Sequence, residues 1–168
     1  MSTVEQTVAG LEARRGGKFL TFFLAGEEYG VEILKVHEII GVLPVTRVPR
    51  TPEFVLGVIN LRGKVIPIMD LRRKFGMEPG EQTAESCIIV VQVNGVQIGA
   101  VVDRVSEVVA IAPADVEDPP SFGPDVETEY LLGLAKADGR VRLLLDIDRV
   151  LSTSEVVHLA NAITADAA

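Results

Sequence analysis

Hydrophobic residues fall in short bursts along the chain, separated by glycine, asparagine, aspartate and proline. Lys18-Phe-Leu-Thr-Phe-Phe-Leu24 is a β-rich run stopped by Ala25-Gly26, and Tyr29-Gly30-Val31 resumes as a second strand. Ile33, Leu34, Val36, Ile39 and Ile40 follow at mixed spacing, which fits a short helical turn or an irregular strand. Val90 to Val93, Asn94-Gly95 and Val96 to Gly99 predict a hairpin, because Asn-Gly supplies the positive φ angles of a two-residue type I′ turn. Leu131 to Ala137, Asp138-Gly139 and Arg140 to Leu145 predict a second. Ser152-x-x-Glu155 is a capping box, and Val156, Leu159, Ala160 and Ile163 recur at helical spacing after it, so an amphipathic helix is expected over 152–168. Residues 1–16 are polar and read as a flexible tail.

The pattern repeats. Glu53 through Phe75 aligns with Glu129 through Leu151 at an offset of 76, with identities at Glu53/Glu129, Leu56/Leu132, Gly57/Gly133, Gly63/Gly139, Val65/Val141, Asp70/Asp146 and Arg73/Arg149. Earlier segments align at an offset of 69 through Gly26/Gly95, Gly30/Gly99 and Glu38/Glu107. The difference is a seven-residue insertion in the acidic, Pro-rich stretch 112–129. The expected organisation is a domain over 17–151 built from two β-rich units, about 17–84 and 85–151, of some five short strands each. That number suits a small barrel, which removes exposed sheet edges. A single continuous β-sandwich with coincidental glycines is the alternative.

Composition narrows the function. The 168 residues are 48% hydrophobic and 24% charged, an ordinary globular balance. Aromatics are 5% and Trp is absent, so Val, Ile and Leu must build the core. A net charge of −8 argues against nucleic acid and against docking on an anionic leaflet. A lone cysteine, Cys87, and two histidines distant in sequence, His37 and His158, leave no disulfide and no expected metal or other cofactor. The N-terminus lacks the apolar segment of a signal peptide, and the uncharged run Ser86 to Val102 is broken as a hairpin, so a cytoplasmic protein without membrane insertion is expected.

Few positions suggest chemistry. Asp70 and Asp146 stand at equivalent strand ends; as an acid–base pair they would have to face one pocket, whereas as N-caps each would serve its own short helix. Arg62 takes the turn position equivalent to Asp138, where the backbone does not ask for arginine; it is either a solvated turn tip or a functional cation. Glu38, among apolar neighbours, either faces water or pairs with Arg62. His37 is expected at the surface and Cys87 in the core. Phe122 sits between prolines and Gly123, on a loop, and either plugs the barrel or points outward as an anchor. No phosphate loop, nucleophile elbow or calcium loop is present.

Phe19-Leu20-x-Phe22, Glu27-Glu28-Tyr29-Gly30-Val31-x-Ile33-Leu34-Lys35-Val36-x-Glu38-Ile39, Gly57-Val58-x-Asn60-Leu61-Arg62-Gly63-x-Val65-x-Pro67-Ile68-x-Asp70-Leu71-Arg72 and Thr128-Glu129-Tyr130-Leu131-x-Gly133 together resemble the CheW family of bacterial chemotaxis coupling proteins, from about residue 18 to residue 151. The resemblance implies an all-β fold of two SH3-like five-stranded barrels that can exchange strands. It implies a non-catalytic adaptor that binds the cytoplasmic tips of methyl-accepting chemotaxis receptors and the regulatory domain of the histidine kinase CheA, in arrays at the inner membrane. By motif match, Ile33, Val36, Glu38, Gly57 and Arg62 would form the receptor surface, in a groove between barrels. Val42, Val45 and Phe122 would contact the kinase or a neighbouring coupling protein. The competing expectations are the coupling part of a receiver-linked signalling protein and a small-molecule-binding β-barrel protein.

Overall fold

The computed structural model describes residues 16–119, 130–137 and 139–150. The tail up to residue 15, the loop carrying Phe122 and the helix expected over 152–168 lie outside the described residues.

Among the described residues eleven strands run in chain order: β1 (Gly17–Leu24), β2 (Glu27–Glu32), β3 (Val36–Gly41), β4 (Val55–Leu61), β5 (Lys64–Asp70), β6 (Cys87–Val93), β7 (Val96–Val102), β8 (Arg104–Ile111), β9 (Val116–Glu117), β10 (Leu131–Ala137) and β11 (Arg140–Leu145). Short 3-10 turns at Ile33–Lys35 and Pro113–Asp115 precede β3 and β9. One-turn helices at Leu71–Lys74 and Ile147–Val150 follow β5 and β11. The mixed spacing after Tyr29 is thus a 3-10 turn running into a strand.

The strands form two mixed sheets, ordered β8-β1-β2-β11-β10-β9 and β3-β6-β7-β5-β4. Leaving β9 aside, the two orders correspond, with one hairpin of each chain half exchanged. β1 and β2 join the strands of the later half, and β6 and β7 join those of the earlier half. Each exchanged hairpin meets its host through a parallel pair, Gly30 opposite Leu144 and Gly99 opposite Ile68. A Cβ on Gly99 would fall 2.5 Å from Ile68 Cδ1, and one on Gly30 would fall 3.0 Å from Leu144 Cδ2, so the paired glycines make room for the joint.

In both sheets the chain leaving one edge crosses to the other. After β3, Thr46 bridges Val58 of β4; after β8, β9 pairs with β10 through Val116 and Ala135. The first sheet therefore has six strands where five were expected. The added one lies at the head of the acidic insertion, where buried Val116 finds apolar cover.

Three apolar clusters follow from this wrapping. Phe19, Ile111, Val116, Ala135 and Leu144 fill the first sheet, and Ile59, Ile66, Ile68, Ile88 and Val90 fill the second. Between the sheets lies the largest cluster, including Leu20, Phe22, Tyr29, Val31, Met69, Leu71, Ile89, Val91 and Leu145. Alternation explains the division: Ile88 and Val90 of β6 point into the second sheet's core, while Ile89 and Val91 point into the central one. The exchanged hairpins thus bury both of their faces, which is why β6 reads as a near-continuous apolar run.

Candidate interaction site

The β4–β5 turn is built like the one at Asn94-Gly95. Arg62 and Gly63 have φ of 52° and 82°, against 49° and 82° for Asn94 and Gly95. The Asn60 side-chain oxygen accepts a hydrogen bond from the Gly63 N–H at 2.9 Å. Asparagine tolerates the left-handed position; a long side chain there costs about 1 kcal/mol. Arg62 nevertheless holds it, and its guanidinium reaches Glu38 Oε1. The arginine side chain is 67% exposed and the glutamate 24%.

Glu38 is aimed by its strand. Val36, Glu38 and Ile40 are half-buried, whereas His37, Ile39 and Gly41 are exposed. A register shift between Val36 and Glu38 bends β3 at this point. The pair lies in a shallow cleft of about 270 Å³ with Leu61, Lys64 and Gln97. Of the two possibilities for Glu38, pairing with Arg62 is the one realised.

Ile33 and Val36 are half-buried against the central core. The 3-10 turn that carries Ile33 is pinned by Lys35 Nζ on Asp148 Oδ2 at 2.7 Å, and the same carboxylate accepts a long bond from Asn94 N at 3.4 Å. The hydrogen bond to Asp148 raises the Lys35 pKa, against a smaller loss from burial. Between them Leu34 stands 93% exposed, and Ile39 is 44% exposed farther along. Sequence reasoning passed over Leu34, because mixed spacing does not say which residue of a one-turn helix faces water.

Gly57 has a different neighbourhood. Its φ is +145°, and a Cβ there would lie 2.0 Å from the Thr46 carbonyl oxygen and 2.8 Å from Val45 Cγ1. The space beside it is occupied by the chain's own crossing segment, held by Thr46 N to Val58 O at 2.9 Å and Val58 N to Thr46 O at 2.8 Å. Val42 and Val45 of that segment pack half-buried against the second sheet's core. They also line a wide cleft of about 910 Å³, formed by the loop between β3 and β4 with Leu56, Arg73 and Gln82.

Asp70 and Asp146 cap their helices. Asp70 Oδ1 accepts from Arg72 N at 3.0 Å, and Asp146 Oδ1 from Asp148 N at 3.2 Å. Each carboxylate also faces the arginine three residues on, Arg73 at 3.5 Å and Arg149 at 3.4 Å. Cys87 is half-buried against the central core, and burial raises its thiol pKa, opposed by an interaction with the Val105 backbone. His37 is exposed.

Residues 18–155 match the family model described as the CheW-like domain. The chain is 41% identical over 146 residues to the chemotaxis protein CheW of Klebsiella aerogenes, covering 87% of this chain and 88% of that protein. It is 37% identical over 150 residues to the chemotaxis protein CheW of Rhizobium meliloti, covering 89% and 97%. The crystal structure of the scaffolding protein TtCheW from Thermoanaerobacter tengcongensis superposes with a TM-score of 0.75 at 36% identity, covering 83% of this chain and 95% of that one. With its two sheets, its hairpins and its Asn60-Leu61-Arg62-Gly63 turn all inside the matched region, the chain belongs to the CheW-like family.

Proposed function

We propose that this protein is a non-catalytic chemotaxis adaptor that couples methyl-accepting receptors to the regulatory domain of a CheA-type histidine kinase, on the cytoplasmic side of inner-membrane receptor arrays. The observation that carries the reading is the Arg62–Glu38 pair. A strained turn position is given to a long cation, and that cation is held by a carboxylate aimed from a neighbouring strand. A fixed cation and anion suit the tip of a receptor helix because the ion pair sets orientation, and the exposed Leu34 and Ile39 in the neighbouring turn and strand are available as apolar anchors. Ile33 and Val36 contribute by supporting the turn and strand from below. Gly57 contributes indirectly, by admitting the crossing segment that carries Val42 and Val45 toward a second partner.

That the superposed relative TtCheW is a scaffolding protein supports the same reading. The small-molecule alternative loses its leading groups, because Asp70 and Asp146 are each engaged at the start of a helix.

Calorimetric titration with the regulatory domain of the CheA-type kinase from the same cell tests the proposal. A 1:1 complex of micromolar or tighter affinity is expected. No complex with that domain, from folded protein, would contradict it.

A further inference from the structure

The turn between β2 and β3 has little of its own to hold it. It is three residues long, Ile33–Lys35, and closes with a hydrogen bond from the Val36 N–H to the Ile33 carbonyl. Among the described residues no side chain caps it, and none of its three residues is fully buried. A single turn of this kind is marginal, since fixing its dihedral angles costs more than one hydrogen bond contributes. It is also where the chain passes from the first sheet to the second. Something outside the turn must therefore set the direction of Leu34, which stands 93% exposed between Ile33 and Lys35.

Asp148 supplies that hold from the other half of the chain. Its Oδ2 accepts from Lys35 Nζ at 2.7 Å and its Oδ1 from the Asn94 N–H at 3.4 Å. One carboxylate thus joins the 33–35 turn, the β6–β7 turn and the helix after β11, although Lys35 lies 113 residues away in sequence. Glu32 and Asp146 also favour the Lys35 charge, but the hydrogen bond to Asp148 is the largest of these influences. Asp148 is itself well fixed. Ile147 and Val150 of its helix are 3% and 4% exposed in the central core. Its N–H donates to Asp146 Oδ1 at 3.2 Å, and the Asp146 N–H donates to the Tyr130 carbonyl at 2.7 Å. A weakly held turn is tied to a firmly held anchor.

We infer that Asp148 is a positioning residue for receptor binding: through Lys35 it fixes the turn that presents Leu34 to the receptor helix. The Lys35 and Asp148 side chains are 37% and 32% exposed, so the pair adds little to global stability. Its effect is on geometry. An apolar anchor whose turn samples other directions in the free protein must be ordered on binding, and affinity falls by that cost. The inference rests on the adaptor reading and adds a residue of the second half to its receptor face.

The test titrates a receptor cytoplasmic fragment and the kinase regulatory domain against wild type, Asp148→Asn, Lys35→Met and the double variant. Asparagine keeps an oxygen for the Asn94 N–H and removes only the charge that holds Lys35. Each single variant should bind the receptor fragment about fivefold more weakly, and the double variant no more weakly than either. Asp148→Glu should bind it about as well as wild type, and kinase affinity and melting temperature should be unchanged throughout. Hydrogen exchange gives a reading that needs no partner: the Val36 amide should exchange faster in Asp148→Asn while β6 and β7 keep their rates. Wild-type Val36 exchange, or wild-type receptor affinity, in folded Asp148→Asn would overturn the inference while leaving the adaptor reading in place. Losses that multiply in the double variant would mean that Lys35 and Asp148 touch the receptor separately, and would also overturn it. So would a parallel loss of kinase affinity, which would make Asp148 a general structural residue. A wild-type protein that binds no receptor would overturn the adaptor reading, and this inference with it.

Discussion

Arg72 and Asp103 clamp the ends of the paired parallel strands β5 and β7, two residues beyond Asp70 and Val101. Arg72 Nε meets Asp103 Oδ1 at 2.9 Å and Nη2 meets Oδ2 at 2.5 Å, a two-point contact between the helix after β5 and the turn after β7. The same aspartate accepts the Ala25 N–H at 2.8 Å, so the β1–β2 turn of the other sheet is tied in as well. Burial pushes the Asp103 carboxyl up, but the Arg72 hydrogen bond, the Ala25 N–H and the Arg72 charge outweigh it and hold the group below the usual carboxylate range. Because the folded pKa is the lower one, the clamp stabilises the fold above the unfolded value of about 4 and its contribution is lost as pH falls through the folded value. Urea unfolding of Asp103→Asn should show a deficit of about 1–2 kcal/mol at neutral pH that shrinks in acid. A deficit independent of pH would contradict the clamp's ionic character.

Gly57→Ala should be costly. The added methyl meets the Thr46 carbonyl oxygen and sits at a φ that L residues rarely adopt. A loss of about 2–3 kcal/mol is expected, read as a lower urea midpoint. A midpoint within error of wild type would mean that the crossing segment moves aside at no expense.

Arg62→Glu should leave the fold intact and weaken binding to a receptor cytoplasmic fragment by more than about 1 kcal/mol, since it sets two carboxylates against each other. Arg62→Gly separates strain from function: melting temperature should rise slightly while receptor affinity falls. Equal receptor affinity in both folded variants would remove Arg62 from the site.

Tyr29 lies in a run of stacked rings, 5.9 Å from Phe22 and 5.9 Å from Phe75, which in turn stacks on Tyr130 at 5.0 Å. Burial, with smaller contributions from Tyr130 and Glu27, pushes its phenol up to about 12. The folded pKa exceeds the unfolded one, so this group's stabilising contribution is complete below about pH 10 and fades as pH rises toward 12. Ultraviolet titration of Tyr29→Phe against wild type isolates its step; a step near 10 in the folded protein would contradict the burial.

Much of the fold was legible because it is local. Asn94-Gly95 specified its turn through backbone sterics alone, and the capping aspartates at 70 and 146 follow from strand ends meeting short helices. The glycines at 30 and 99 showed as a repeat, but their purpose did not. It lies in the joint between an exchanged hairpin and a host strand more than 30 residues away in sequence. Arg62 could be singled out because it breaks a turn rule. Arg50 could not, since its left-handed φ belongs to a proline-flanked loop whose turn type no periodicity announces. Leu34 was hidden for a related reason: in a single 3-10 turn, exposure is decided by how Lys35 and Asp148 anchor the turn.

Coupling requires both partners to be held at once, and a sedimentation assay measures that directly. Receptor cytoplasmic fragments on vesicles are mixed with the kinase regulatory domain, with and without this protein. The kinase domain should sediment with the vesicles only when the protein is present, and Arg62→Glu should abolish that sedimentation while leaving the soluble kinase complex intact. Recovery of the kinase domain in the supernatant, under conditions where the protein binds each partner separately, would contradict the account.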